Sequence, residues 1–391
     1  MENKLKLSEV LKKYTMVIVL AVVVILFTAN TGGKMLLPQN VNNLIAQNAY
    51  VFILATGMLF CILTGGNIDL SVGSVVCFVG AIGGSMMIKM GINPYLSLLS
   101  MALIGMLVGA WQGFWIAYVR IPPFIVTLAG MLMFRGLSNV VLQGMTLSPI
   151  PDRFLNLFNT YVPDFFGGKG LNITCMLAGI AVCMVYAASV LRGRMKKMQK
   201  GYRVDPFGGV VAKIVVISVV VLFFMFKLAQ YKGIPNALLW VSVIIGIYSY
   251  ISSKTTTGRY FYAVGGSRQS ALMLGINVKK TRFLAHLLCG LLAGIGGYVY
   301  FLHVGSGSAS HAMGMEMNAI ASSIIGGTLL TGGVGNIAGT FVGVLSLSTI
   351  QNIVSSIGLD QAWWTGITVA AMLCLFLVVQ SMIMARKKKR V

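Results

Sequence analysis

At 391 residues, with 57% hydrophobic and only 10% charged residues and a mean hydropathy of +0.86, this chain has too little polar surface for a soluble globule. Its 30 Lys and Arg against 8 Asp and Glu give a formal net charge of +22, which would suit nucleic acid if the cations formed one face. They gather instead in four places between apolar runs, at 4–13, 192–213, 254–282 and 386–390, so no nucleic-acid partner is expected.

A helix of about twenty apolar residues crosses roughly 30 Å of hydrocarbon with its backbone hydrogen bonds satisfied internally. On that measure about twelve spans are predicted, with about ten as a lower bound. They run over 14–29, 44–63, 70–90, 95–119, 122–142, 172–191, 211–229, 235–251, 283–302, 315–330, 336–356 and 362–384. With the four basic clusters in the cytosol the positive-inside rule is met, and both termini are cytosolic. Trp363 and Trp364 then open the last span at the outer interface. The first run follows a basic stretch as a secretory leader would, but no small-x-small site follows it, so an uncleaved span is expected. The fold class expected is all-α, a polytopic integral membrane helical bundle in a single domain over 1–391. Within it lie an external loop at 143–171, a pair of spans at 172–229 and a cytosolic loop at 252–282.

Cys61, Cys77, Cys175, Cys183, Cys289 and Cys374 all fall in apolar runs and never as C-x-x-C, so they read as small buried hydrophobes. His286, His303 and His311 lack ligand spacing, and no metal is expected. Neither a phosphate-binding G-x-x-x-x-G-K-[ST] loop nor a nucleophile elbow is present, which argues against an enzyme.

Three interruptions of the apolar runs carry the functional reading. LTGGNIDLSVG places Gly65, Gly66, Asn67, Asp69 and Ser71 where a helix would otherwise continue. An ionised Asp at the bilayer centre costs about 2.5–3.5 kcal/mol, so it faces a partner, water or helix-end amides. Arg135 is a candidate cation for it. A discontinuous helix lining a pathway and a cytosolic turn with Asp69 as N-cap fit the pattern equally. The second interruption is the basic connector GRYFYAVGGSRQSALMLGINVKKTRF. There Ser267 can cap a short helix, Ala271, Leu272 and Leu274 give it an apolar side, and Gly275 can end it. Such a helix suits docking to a cytosolic partner, or resting on the lipid surface. The third is Glu316 with Asn318, heading a Gly-rich run whose LTGG at Leu330 repeats the LTGG at Leu63. The repeat is consistent with two related halves of a transport fold, and also with close helix packing.

At these residues the chain resembles the sugar-type permease subunits of bacterial ATP-binding-cassette importers, the ribose, xylose and multiple-monosaccharide group. GGNIDLSVGSVV, PPFIVTLAGMLMFRGL from Pro122 to Leu137, and AVGGSRQSALMLGINV carry the likeness. The extra spans within 172–229 place it nearest the xylose and multiple-monosaccharide branch. Ser267, and Asn318 where an Asp is common, depart from the family pattern.

The resemblance implies a multi-pass protein of the bacterial cytoplasmic membrane that forms the path for a monosaccharide. It implies a permease homodimer, a separate ATPase that carries ATP and Mg2+, and an external sugar-binding protein, with no cofactor on this chain. Gly265, Gly266, Ser267, Ala271, Leu272, Leu274, Gly275 and Ile276 are the implied coupling residues. Gly65, Gly66, Asn67, Asp69, Ser71, Glu316 and Asn318 are expected at the path or gate. Trp111, Gln112, Asn139 and Gln351 are candidate sugar contacts. The loop aromatics Phe154, Phe158, Tyr161, Phe165 and Phe166, with Asp152, Arg153 and Asp164, are expected to seat the binding protein. Two other readings are weighed. An ion-coupled secondary transporter would use Asp69 or Glu316, and a membrane scaffold would move nothing.

Overall fold

The computed structural model describes residues 24, 25, 28, 32–168, 170–202, 204, 206–356, 358 and 361–388. All regular structure among them is helical, with two isolated bridge pairs, Leu147 with Gly307 and Tyr161 with Pro235. Among the described residues eight helices are long and apolar enough to cross a membrane, which makes this an integral membrane protein. The predicted first span, 14–29, lies almost wholly outside the described residues.

The described chain forms two compact units, one of 47–158 and 240–391 and one of 28–46 and 159–239. Helix α1, Pro38–Leu63, is followed by α2, Val72–Ile88, and α3, Pro94–Phe114. A π turn at Trp115–Val119 leads to α4, Pro123–Leu142, and a short α5, Asp152–Asn159. Asn93 starts α3 by accepting the Tyr95 amide at 2.9 Å, with Pro94 in the first turn where its missing N–H costs nothing. After α8, Asn236–Lys254, come α9, Thr256–Gly266, and α10, Arg268–Met273. The long α11, Val278–Val304, precedes α12, Met315–Ile325, α13, Ile337–Ser356, and α14, Ala362–Lys388.

Helix α11 is the spine of the first unit. Gly290 and Gly294 meet Gly105 and Gly109 of α3 so closely that a methyl group on any of the four would overlap the opposing backbone. In lipid, where no hydrophobic force separates helix from solvent, such small-residue seams supply the packing that holds helices together. Helix α2 packs on the same spine, with Val76 and Val79 against Gly297. The run 315–330 was expected to span. Its helix ends at Ile325, and 11 residues rise only about 16 Å, roughly half the hydrocarbon thickness.

The second unit is built around α6, Ile173–Gln199, and α7, Phe207–Ala229. Asn172 caps α6 through the Cys175 amide at 2.8 Å, and Asp164 collects the amides of Phe166, Gly168, Ile173 and Thr174 together with the Thr174 hydroxyl. Those bonds hold the Asp164 carboxyl well below the usual carboxylate range, the Gly168 amide foremost. Cys175, Leu228, Ala229 and Ile234 close a small core. Beyond it α7 is almost wholly apolar between Lys213 and Lys227, and none of its most hydrophobic 18-residue window is buried. A helix of that kind faces lipid.

Candidate functional site: a glycine junction between two helix breaks and a short exposed helix

Helix α1 is closed off by Gly65 and Gly66, both at positive φ, with the Gly66 amide bonding back to the Ile62 carbonyl at 2.8 Å. Asn67 turns inward and donates to the Thr64 hydroxyl at 3.0 Å. Asp69 accepts from both the Ser71 amide, at 2.9 Å, and the Ser71 hydroxyl, at 2.6 Å. Asn67, Asp69 and Ser71 are all buried. The break is therefore an interior feature, and Ser71 rather than Asp69 occupies the N-cap position of α2. Asp69 acts one step back, by fixing the residue that begins the helix. Gln112 of α3 donates its amide to the Ser71 hydroxyl and extends this chain of polar groups to a second helix.

Arg135 does not partner Asp69. Its guanidinium donates to the carbonyls of Ala309, at 2.9 Å, and His311, at 3.1 Å, and so fastens the loop that leads into α12. In the first turn of α12, Glu316 lies against Gly73 of α2, where a β-carbon would overlap its carboxylate. Its Oε2 is buried and makes no hydrogen bond with any described residue. Asp69 and Glu316 lie within electrostatic reach of one another, and Arg135 within reach of Glu316. Asn318, two residues on, points to a different side of the helix, as i and i+2 must. It accepts from Gln351 of α13 at 3.2 Å and lines a mainly apolar cavity of about 300 Å3 between α12 and α14.

Ser267 begins α10 by accepting the Ser270 amide at 3.2 Å, and Gly275 follows the helix at φ 73°. The apolar side divides. Ala271 is turned inward against Val264, Ile276 and Val278, whereas Leu272, Met273 and Leu274 are 54%, 88% and 77% exposed. Ala271 therefore anchors the helix and is not on its outward face. Met273 takes that place beside Leu272 and Leu274.

The two LTGG strings meet at this helix. The Gly333 amide donates to the Leu63 carbonyl at 3.0 Å, closing the end of α1 with the loop between α12 and α13. A β-carbon on Gly265 would overlap both the Leu63 carbonyl and the Gly333 amide, and one on Gly66 would strike the Leu330 carbonyl. Tyr262 of α9 donates to the Gly335 carbonyl at 3.0 Å. The residues just before α10 are thus wedged, backbone on backbone, between the ends of two interrupted segments. The end of α9 therefore touches both the Leu63 and the Gly333 ends.

Of the candidate sugar contacts, Gln112 and Gln351 are engaged within the protein, while Trp111 and Asn139 keep exposed surface. In the loop at 143–171 Phe154 and Phe158 are buried one helical turn apart on α5, so they serve packing, and Phe165 and Phe166 remain exposed. Cys374 is exposed and Cys183 half-buried; the other four cysteines are buried and all six are free.

Residues 40–377 match the family model described as the permease component of a branched-chain amino acid transport system. This chain belongs to that family. The xylose transport system permease protein XylH of Haemophilus influenzae is 34% identical over 356 residues, covering 90% of this chain and 92% of the relative. XylH of Escherichia coli K12 is 33% identical over 353 residues, covering 90% and 88%. The ribose import permease protein RbsC of the same strain is 29% identical over 324 residues, covering 83% and 80%. No solved structure matches the chain. Membership makes the chain a transport subunit rather than an enzyme or a scaffold.

Proposed function

We propose that this chain is the membrane-spanning subunit of an ATP-driven, binding-protein-dependent importer of monosaccharides in a bacterial cytoplasmic membrane. Xylose or a related pentose or hexose is the cargo, a reading supported by the names and coverage of the XylH and RbsC relatives. The observation that carries the mechanism is the wedge of Gly265 between Leu63 and Gly333. A partner ATPase that pulls on α10 would shift the ends of both breaks together, with Asp69, Ser71 and Glu316 behind them. About ten spans, cytosolic termini, a two-half pseudo-repeat and a homodimeric path complete the reading. The positive-inside charge distribution and the two LTGG strings meeting at one junction support it. Phe165 and Phe166 are the exposed aromatics available to the sugar-binding protein, and ATP with Mg2+ stays on the ATPase.

The test is disulfide crosslinking in membranes that hold the assembled complex. Cysteines replacing Leu272 or Leu274 are expected to crosslink to the ATPase, and one replacing Ala271 is not. Leu274→Asp is expected to leave the complex assembled while sugar uptake falls at least about tenfold relative to ATP hydrolysis. External labelling of position 274 would overturn both the topology and the coupling role.

A further inference from the structure

Arg120, Arg268, Lys279 and Arg282 line one cavity of about 710 Å3, bounded by α10, the start of α11 and the segment 116–123 that runs from the π turn into α4. No Asp or Glu is among its lining residues. Arg268 and Arg282 lie within electrostatic reach of each other, so like charges face a common space without a counter-charge. Arg120 is held at φ 71°, an uncommon conformation for a residue with a β-carbon. At the cavity floor the Arg282 Nε is buried and makes no hydrogen bond with any described residue. The same guanidinium reaches to 3.4 Å from the β-carbon position of Gly65, beside the first helix break.

An oxyanion in the cavity neutralises the repulsion among these cations. Guanidinium groups bind phosphate oxygens through paired, charge-assisted hydrogen bonds. The cavity is far larger than a bare phosphate, and Ile116, Pro122 and Ile276 give it an apolar wall for an organic group. Leu272, Gly275 and Ile276 of the docking segment line the cavity whereas Met273 and Leu274 do not, so the cavity borders one edge of the dock.

We propose that this cavity binds a phosphate ester, and that the bound ester braces α10 beside Leu272, at the edge of its exposed face. The ester is either a free phosphorylated metabolite or the headgroup of an anionic lipid. The bracing half rests on α10 being the ATPase dock; the binding half does not.

The test uses the full chain, without ATPase, in nanodiscs of phosphatidylcholine alone or mixed with phosphatidylglycerol, with radiolabelled glycerol 3-phosphate as the soluble probe. Saturable binding in phosphatidylcholine, weakened at least about tenfold by Arg268→Gln with Lys279→Gln and changed less than about twofold by Lys280→Gln, supports a soluble ligand. Both substituted side chains are exposed, so loss of binding would not reflect unfolding. Retention of phosphatidylglycerol on the wild type but not the double variant, seen by native mass spectrometry, with competitive displacement of the probe, supports the lipid source. Absence of saturable binding of either probe overturns the proposal, as does equal loss in Lys280→Gln. So does a double variant that loses ATPase affinity while neither anion binds the wild type, which would assign the cavity to an acidic protein surface. Because binding is read without ATPase, a failed crosslink at position 274 removes only the bracing half.

Discussion

Residues 63–71 and the α6–α7 hairpin both lie in strongly apolar sequence, yet one is built on polar groups and bare backbone and the other on apolar side chains alone. At the break, every polar side chain from Asn67 to Ser71 is buried, and the acids and amides bond to one another or to helix ends. On α7, Val216 and Val219 stand more than 60% exposed, and no buried polar network is needed. Low dielectric explains both. An unpartnered polar group there is costly, so a break must be fully wired, whereas an uninterrupted helix satisfies its own backbone and needs little else. Sensitivity to substitution should therefore be steep at the first region and shallow at the second.

The largest effect is expected from Gly265→Val, which would drive a side chain into the Leu63 carbonyl and the Gly333 amide. Backbone cannot yield as a flexible side chain can, so the cost should reach or exceed the top of the roughly 1–3 kcal/mol seen for overpacking. The amount of folded, monodisperse protein after detergent extraction checks it, and wild-type yield would break the contrast at its strongest point.

Next come Asp69→Leu and Asp69→Asn. Leu strips the acceptor from the Ser71 amide and hydroxyl, at roughly 1–3 kcal/mol for each buried group left unpaired. Transport should be lost. Asn retains an acceptor oxygen and should keep a substantial part of uptake. Sugar uptake measured beside the quantity of assembled complex distinguishes the two. Complete loss in both variants with normal assembly would point instead to an ion-coupling carboxylate.

On the hairpin, Val216→Ala and Val219→Ala should each change stability by less than about 0.5 kcal/mol, because neither side chain fills a core. Thermal unfolding in lipid nanodiscs reads it. A large loss would show that α7 packs against a protein partner and not lipid.

The smallest effect concerns Asp164. Its folded-state pKa is depressed, so its stabilising contribution is present above the ordinary carboxylate value and is lost only as pH falls through the lower folded value. Exchange of the loop amides relative to their intrinsic rates should therefore be flat from about pH 8 to pH 5 and rise only below about pH 4. A rise near neutrality would mean that another group holds the turn.

Much of the architecture was legible along the chain because crossing hydrocarbon needs a minimum run of apolar residues. The runs at 95–119, 122–142 and 172–191 reappear almost intact in α3 with its π turn, α4 and α6. The Ser267 cap was legible too, since it acts on the amide three residues on. The run 315–330 misled because apolar composition does not reveal that Gly326 and Gly327 stop the helix halfway.

What composition and spacing determined is the solvent of this protein, its helical class and the positions where its helices are interrupted, all set by local rules of hydropathy, capping and glycine. Which interruptions meet was decided only in three dimensions. Gly333 lies 270 residues from Leu63 and 68 from Gly265 in numbering, yet the three share one junction because the two glycines have no side chain to keep their backbones apart from each other and from the Leu63 carbonyl. Tertiary packing also chose the partners: Arg135 went to the carbonyls of Ala309 and His311, Gln112 to Ser71, and Ala271 to the inner side of its helix. Those choices depend on distances between helices, which no one-dimensional pattern encodes.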